Sequence, residues 1–244
     1  MATKLLYLED FNVITCSASV VEVRASEDGR TVVVLDQTCF YPRGGGQDWD
    51  MGVISYGDSK FDVQEVRLDE TGTVWHIGAP AVNWSEGAQV DCKVDAERRN
   101  INTRLHSAGH LVDMALQEFE PTWIPSKGSH YPDWCAVEYT VGEITLDPAL
   151  QDKLQKRIDE LLQSDYQNKV MFMPPEEMTK YCRHVPTNMP KNKPSRIVLY
   201  SDSFGIPCGG THVKTLKEIG VVKITGIKVK KGVAKVGYSV EGIN

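Results

Sequence analysis

Two histidines stand four residues apart in RLHSAGHL, His106 and His110, and a cysteine and a histidine stand four apart in PCGGTHV, Cys208 and His212. On a helix, a spacing of four places two imidazoles side by side. The second pair lies in a Gly-rich stretch preceded by proline, which cannot be regular helix. Paired glycines let a backbone turn tightly enough to aim a thiolate and an imidazole at one point. Each pair alone has an ordinary explanation: histidines are common on solvated helix faces, and a lone cysteine is usually a buried thiol. Together they make a donor set of nitrogen and sulfur suited to zinc. A zinc protease is excluded by one residue. That motif has glutamate directly after its first histidine, and here the position is Ser107.

The first pair requires a helix over 97–119. Ile101, Leu105, Ala108, Val112, Ala115 and Phe119 recur at spacings of three and four and form its buried stripe. His106 and His110 fall on a different face, with Asp113 and Gln117, which the spacing predicts to be polar and turned out of the core. Ahead of this helix, short runs at 13–25, 31–36, 52–56, 59–68, 73–77 and 89–94 read as strands punctuated by turn dipeptides, the pattern of a small barrel. After the helix a loop is expected over 120–134, then a strand at 135–141. Asp147 and Pro148 open a second helix whose buried stripe is Leu150, Leu154, Ile158, Leu161 and Leu162. Strands at 169–173, 196–200, 219–231 and 233–240 and a short helix at 175–182 complete the chain. The expected fold class is α+β in two domains. Residues 1–95 form the small β-barrel, and 96–244 form a domain with helices packed on an antiparallel sheet, which carries the metal.

Hydrophobic residues make up 41% of the 244 and charged residues 25%, as in an ordinary soluble protein. No apolar run approaches membrane-spanning length, and MATKLLYLED has acids where a signal peptide has its apolar core. Cys16, Cys39, Cys92, Cys135 and Cys182 form no CxxC and read as reduced thiols of a cytoplasmic protein. The net charge of −6 argues against a nucleic-acid partner until its distribution is considered. Residues 180–244 hold 12 Lys+Arg against 3 Asp+Glu, whereas residues 1–95 hold 7 against 16. A basic end of this kind fits a polyanion partner or a solvated lysine-rich hairpin. Its candidate phosphate contacts are Arg183, Lys191, Lys193, Arg196, Lys228, Lys230, Lys231 and Lys235.

A third stretch, FYPRGGGQ, spends three consecutive glycines where they contribute no packing. It lacks the GK[ST] of a P-loop and the strand–GxGxxG–helix context of a dinucleotide site. It is either a flexible hairpin tip or a place where backbone passes close to a ligand. On the second reading Arg43 is a candidate phosphate contact, Gln47 a candidate polar contact, and the amides of Gly44, Gly45 and Gly46 candidate donors to an oxyanion.

In that order, FYPRGGGQDWDMG, RLHSAGHL and PCGGTHV resemble the freestanding alanyl-tRNA editing proteins, the AlaX family, which are themselves similar to the editing region of alanyl-tRNA synthetase. The resemblance runs from about residue 14 onward, and the two-part layout is similar to the medium-length form. It implies a zinc-dependent deacylase that hydrolyses mischarged tRNA(Ala), typically the seryl or glycyl ester. It implies one Zn2+ held by His106, His110, Cys208 and His212, and places Gln47 at the editing pocket. Gly109 stands where the synthetase editing domains often have a threonine that helps discriminate the amino acid, so the pocket is expected to be larger here. Ser126, Ser129 and His130, in the expected loop, are then either a substitute hydroxyl contact or ordinary loop chemistry. A pocket with a polar partner for a hydroxyl rejects alanine strongly, so a seryl preference over glycyl is expected. Four protein ligands normally close a structural zinc site, so catalysis needs a fifth position or one ligand standing off. The loop ligands Cys208 and His212 are expected to move more readily than the helical pair. No Asp or Glu adjoins the ligands as a general base. Two other readings stand beside this one: a zinc hydrolase acting on another small ester, and an RNA-binding module with a structural zinc.

Overall fold

Alternating apolar residues in the first hundred positions close a sheet on itself. In the computed structural model, which describes residues 2–187, 189 and 195–243, the strands here are β1 Lys4–Leu5, β2 Thr15–Ala25, β3 Thr31–Leu35, β4 Gln37–Thr38, β5 Gly52–Tyr56, β6 Ser59–Leu68, β7 Val74–Ala79 and β8 Gln89–Val94. Lys191 and Lys193, named above, lie outside the described residues. Six strands form a closed barrel in the order β2-β3-β7-β6-β5-β8, with β8 pairing back onto β2, and β1 pairs with β4 in parallel. Closure removes the exposed strand edges that a small open sheet would carry. Val20, Leu35, Phe40, Ile54, Phe61, Val90 and Val94 fill the interior.

The chain divides into two compact units, Met1–Asn100 and Ile101–Asn244. The division falls inside helix α1, Ala96–Phe119. The Asp95 carboxylate accepts the backbone N–H groups of Glu97 at 3.0 Å and Arg98 at 3.1 Å, which caps α1. One turn in, Arg99 is buried against Asp50. Its Nε donates to both carboxylate oxygens at 3.0 Å, and its terminal nitrogens donate to the carbonyls of Phe11, Val13 and Cys39. Asp50 also accepts the Tyr41 amide at 2.6 Å. A buried ion pair is tolerable only when its remaining hydrogen-bonding positions are satisfied in this way.

The second unit continues α1 into β9 Ile124–Tyr131, β10 Trp134–Thr140, α2 Leu150–Leu161, β11 Lys169–Met173, β12 Ser195–Ser201, β13 Phe204–Pro207, β14 Val222–Lys230 and β15 Val233–Val240. An antiparallel sheet in the order β14-β15-β10-β9 and a three-stranded sheet β11-β12-β13 frame it. Leu105, Leu111, Val112 and Leu116 of α1 pack with Leu150, Leu154 and Ile158 of α2 and with Val236, Tyr238 and Val240 of β15 in one core. The expected α+β class and the barrel are both present.

Three local expectations are corrected. Residues 124–131, expected as loop, form β9, paired along its length with β10. Phe119, expected in the buried stripe, is 37% exposed. The face expected to look out of the core is buried as well: His106 is 1% and Asp113 5% exposed. The part of α1 after residue 100 is therefore enclosed on both faces within the second unit, and its polar residues must find partners inside the protein.

Removing Arg99 would leave the Asp50 charge buried without its partner. Arg99→Met is expected to lower the stability of the first unit by about 3–5 kcal/mol, and the double variant Arg99→Met/Asp50→Leu to lose less than the single one. Urea unfolding followed by tryptophan fluorescence measures both. Equal losses in the two variants would show that the uncompensated charge is not the cause.

Candidate metal centre

The two sequence-distant pairs converge. One donor atom from each of His106, His110, Cys208 and His212 lies within 4.8 Å of every other. Nε2 of His106 is 3.0 Å from Nε2 of His110 and 3.1 Å from Sγ of Cys208. Donors bound to one tetrahedral zinc at ordinary bond lengths stand roughly 3.3–3.8 Å apart, so the cluster is of the right size for a single ion. His106 and His212 are buried, whereas His110 and Cys208 are half-buried.

The segment carrying the second pair is shaped by contacts to α1 and β12. Gly210 lies against the His106 ring. A Cβ there would stand 2.8 Å from Nε2 and 2.9 Å from Nδ1 of that imidazole, so only glycine lets the loop approach its partner ligand. The Gly210 amide points at Sγ of Cys208 at 3.3 Å. Thr211 shares a 2.6 Å hydroxyl–hydroxyl bond with Thr103, and the Val213 amide donates to Oγ of Ser107 at 3.1 Å. The Tyr200 hydroxyl meets Nδ1 of His212 at 2.7 Å, so a cation would take the other nitrogen, Nε2.

Arg196 belongs to this brace. It was expected among phosphate contacts, but it is only 6% exposed, its Nε donates to the Cys208 carbonyl at 2.6 Å, and a terminal nitrogen donates to the Gly210 carbonyl. Formal charge drew it into the basic surface set, and burial removes it from that set. The loop that carries Cys208 and His212 is held by side chains from two elements.

Burial sets the protonation of the cluster. It pushes His110 down to about 3 and His106 and His212 well below their ordinary value, with neighbouring positive groups adding to the effect. It pushes the Cys208 thiol up, against the pull of Arg196 and of the Gly210 amide. Neutral imidazole is the ligating form; a protonated thiol is not. A divalent cation would supply the charge that this thiol lacks, so the donor set fits zinc.

Residues 7–98 match the family described as tRNA synthetases class II (A), and residues 196–240 match the Threonyl and Alanyl tRNA synthetase second additional domain. Alanyl-tRNA editing protein AlaX-M of Pyrococcus horikoshii is 30% identical over 91% of this chain and 89% of its own length. The chain belongs to the alanyl-tRNA editing protein family. AlaX-M of Saccharolobus solfataricus is 29% identical over 98% of this chain and 99% of its own length. AlaX-L of Pyrococcus horikoshii is 30% identical over 90% of this chain, which spans about half, 53%, of that relative.

The other residues singled out in this AlaX-family chain have mixed fates. In the barrel unit the Gly-rich stretch is a two-residue hairpin turn. Gly44 and Gln47 exchange both backbone hydrogen bonds, at 3.2 and 2.9 Å, and Gly45 and Gly46 between them have φ of 55° and 78°. Consecutive positive φ values explain the glycines. Arg43, Gly44 and Gly45 are exposed, and Gln47 is fully buried. In the second unit Lys228, Lys230 and Lys231 are exposed on the β14–β15 hairpin. Lys235 instead lies 3.7 Å over the Trp134 ring and pairs with Glu138. Among the described residues, no helix is long and apolar enough to cross a membrane.

Gly109 does not open a larger pocket. A Cβ there would stand 2.6 Å from Nδ1 of His130 and 2.9 Å from the Tyr238 hydroxyl, so that space is already filled. His130 is 4% exposed on β9, with burial pushing its pKa down to about 4, and its ring centroid is 4.8 Å from that of His106. Successive side chains alternate across a strand, so Ser129 faces away from the side on which His130 meets the cluster, which withdraws it as a substitute contact. The signal for His130 lay in the alternation around KGSHY, hidden by two glycine–proline interruptions of the strand pattern.

The histidine pKa values lie below the ordinary unfolded value near 6.5. Their contribution to stability is therefore complete above that pH and is lost as pH falls toward 3–4. Metal-free protein is expected to lose up to about 1.4 kcal/mol per pH unit for each such imidazole below pH 6, and His110→Gln to flatten that slope. Denaturant titrations between pH 7 and 4.5 test this; an unchanged slope in the variant would contradict it.

Proposed function

We propose that this chain deacylates mischarged tRNA(Ala) in trans, using one zinc ion held by His106, His110, Cys208 and His212. The observation that carries the reading is the convergence of these four donors in a chain whose relatives are named alanyl-tRNA editing proteins. When bound, zinc supplies a Lewis acid for an ester carbonyl and lowers the pKa of an attacking water. The chain's own contribution is positional. Arg196 and Tyr200 hold the loop ligands. The ester is intrinsically labile, so orientation of the acyl group supplies much of the required acceleration.

The seryl ester is the preferred substrate over the glycyl one. Arg43, Lys230 and Lys231 provide exposed charge for the RNA backbone. Contacts of this type give affinity that falls steeply with salt and little base specificity.

A four-ligand set also suits the alternative of an RNA-binding module with a structural zinc, and one variant separates the two. On the editing reading His106→Ala remains folded and loses deacylation by two or more orders of magnitude; on the alternative it unfolds. The decisive assay is hydrolysis of Ser-tRNA(Ala) and Gly-tRNA(Ala), with and without a chelator. Seryl hydrolysis that is faster than glycyl and abolished by chelation is expected, and hydrolysis indifferent to chelation would sink the zinc role. Lys230→Ala/Lys231→Ala is expected to weaken tRNA binding at low salt and reduce the slope of log affinity against log salt by about 1–2. An unchanged slope would remove these lysines from the interface.

A further inference from the structure

A histidine that binds a metal through one nitrogen usually donates its other N–H to a partner that fixes the ring. Tyr200 does this for His212, with its hydroxyl 2.7 Å from Nδ1. His106 has no such partner: its Nδ1 is buried with no hydrogen bond among the described residues. Packing must therefore set its orientation. On one side the ring rests on Gly210, where no side chain would fit. Besides its fellow donors His110 and His212, the ring meets one imidazole from outside the donor set, His130, centroid to centroid at 4.8 Å and inclined by 52°.

His130 is itself held without freedom. A Cβ on Gly109 would stand 2.6 Å from its Nδ1, and a Cβ on Gly128 would stand 3.0 Å from its Cε1, so the ring occupies a slot between α1 and β9 that two glycines create. Its Nδ1 is 2.5 Å from the Tyr238 hydroxyl, and that hydroxyl donates to the Leu105 carbonyl at 2.9 Å. A phenol has one proton to give. With it directed at Leu105, the Tyr238 oxygen accepts from His130, which fixes the Nδ1–H tautomer. The chain of bonds ends on the residue immediately before His106 in α1. His130 is not a member of the converging donor set.

We propose that His130 is a positioning residue for the metal centre: slotted between Gly109 and Gly128 and locked by Tyr238, its imidazole holds the His106 ring in the orientation that a cation requires. This rests on the zinc reading of the cluster given above. Gly109 is then glycine because His130 uses its space, and position 109 and position 130 act as one unit.

The test uses the full chain, stripped of metal and titrated with Zn2+ against a chromophoric chelator. The unsubstituted protein is expected to bind one equivalent; if it binds none, the zinc reading falls and this proposal with it. His130→Ala is expected to bind one equivalent still, with affinity reduced 10–100-fold, the usual effect of removing an outer partner of a ligand. Gly109→Ala, which leaves His130 in the chain but displaces its ring, is expected to show the same loss. In the His130→Ala background, Gly109→Ala is expected to change affinity less than twofold, because the slot is already empty. Affinity of His130→Ala within twofold of the parent, or losses that multiply in the double variant, would overturn the proposal, as would complete loss of metal, which would make His130 a ligand. Should His130→Ala fail to fold, the Gly109→Ala variant and the tautomer remain. Long-range 1H–15N spectra of the metal-free parent are expected to show the proton of His130 on Nδ1, and a proton on Nε2 would overturn the lock.

Discussion

Three imidazoles and a thiol are removed from water within a few ångströms of one another, and the second unit is arranged around the cost of doing so. Burial keeps the imidazoles neutral, which suits them to ligate, but it also keeps the thiol protonated, which does not. A dication would resolve the conflict by taking the thiol proton's place, which would link occupancy of the centre to stability of the surrounding fold. Arg196 makes sense in the same terms. A guanidinium beside a cation site is costly unless its charge is engaged. Here its donors are spent on the carbonyls of Cys208 and Gly210, where it braces the loop and also favours the thiolate.

The same desolvation explains why helix α1 carries polar residues on a buried face. Thr103, His106, Ser107 and His110 each meet a group about a hundred residues away in sequence or a fellow donor, through Thr211, Cys208, Val213 and the histidine cluster. Hydroxyl and imidazole contacts, rather than charge pairs, register the loop on the helix. That choice avoids placing uncompensated charge next to a metal. All four donors and the side chains described as bracing them belong to the unit Ile101–Asn244, so the centre is a property of that unit's own fold.

How much of this was legible follows from what each pattern encodes. The matched spacings of His106/His110 and Cys208/His212 read as metal chemistry because few other constraints produce two such pairs. Strand alternation and turn dipeptides revealed the barrel, because each short strand carries its own punctuation. The polar face of α1 was misread because periodicity reports side-chain type, not what lies against it. Asp113 and His106 look solvated in sequence and are buried in the fold. Arg196 was misread for the same reason. His130 reads in sequence only as a loop residue beside Ser126 and Ser129, because Pro125 and Gly128 interrupt the pattern of β9 and because its partner Tyr238 lies at the far end of the chain. Gly109, read as a loss of bulk, is a vacancy only until β9 is placed beside it.

The closed character of a four-ligand zinc site bears directly on whether the centre does chemistry. A purely structural ion is best served when every ligand is equally shielded, since water at any ligand only invites exchange. This cluster is asymmetric. His106 and His212 are buried, and their surroundings fix their rings, one by packing and one by the Tyr200 hydroxyl. His110 and Cys208, one from the helix and one from the loop, are half-buried as residues, although burial still governs their imidazole and thiol. The less shielded pair therefore spans both elements. Contacts from Thr103, Ser107 and Arg196 hold the loop that carries Cys208 and His212, so the donor set combines a helical pair with a loop pair that the surrounding side chains brace.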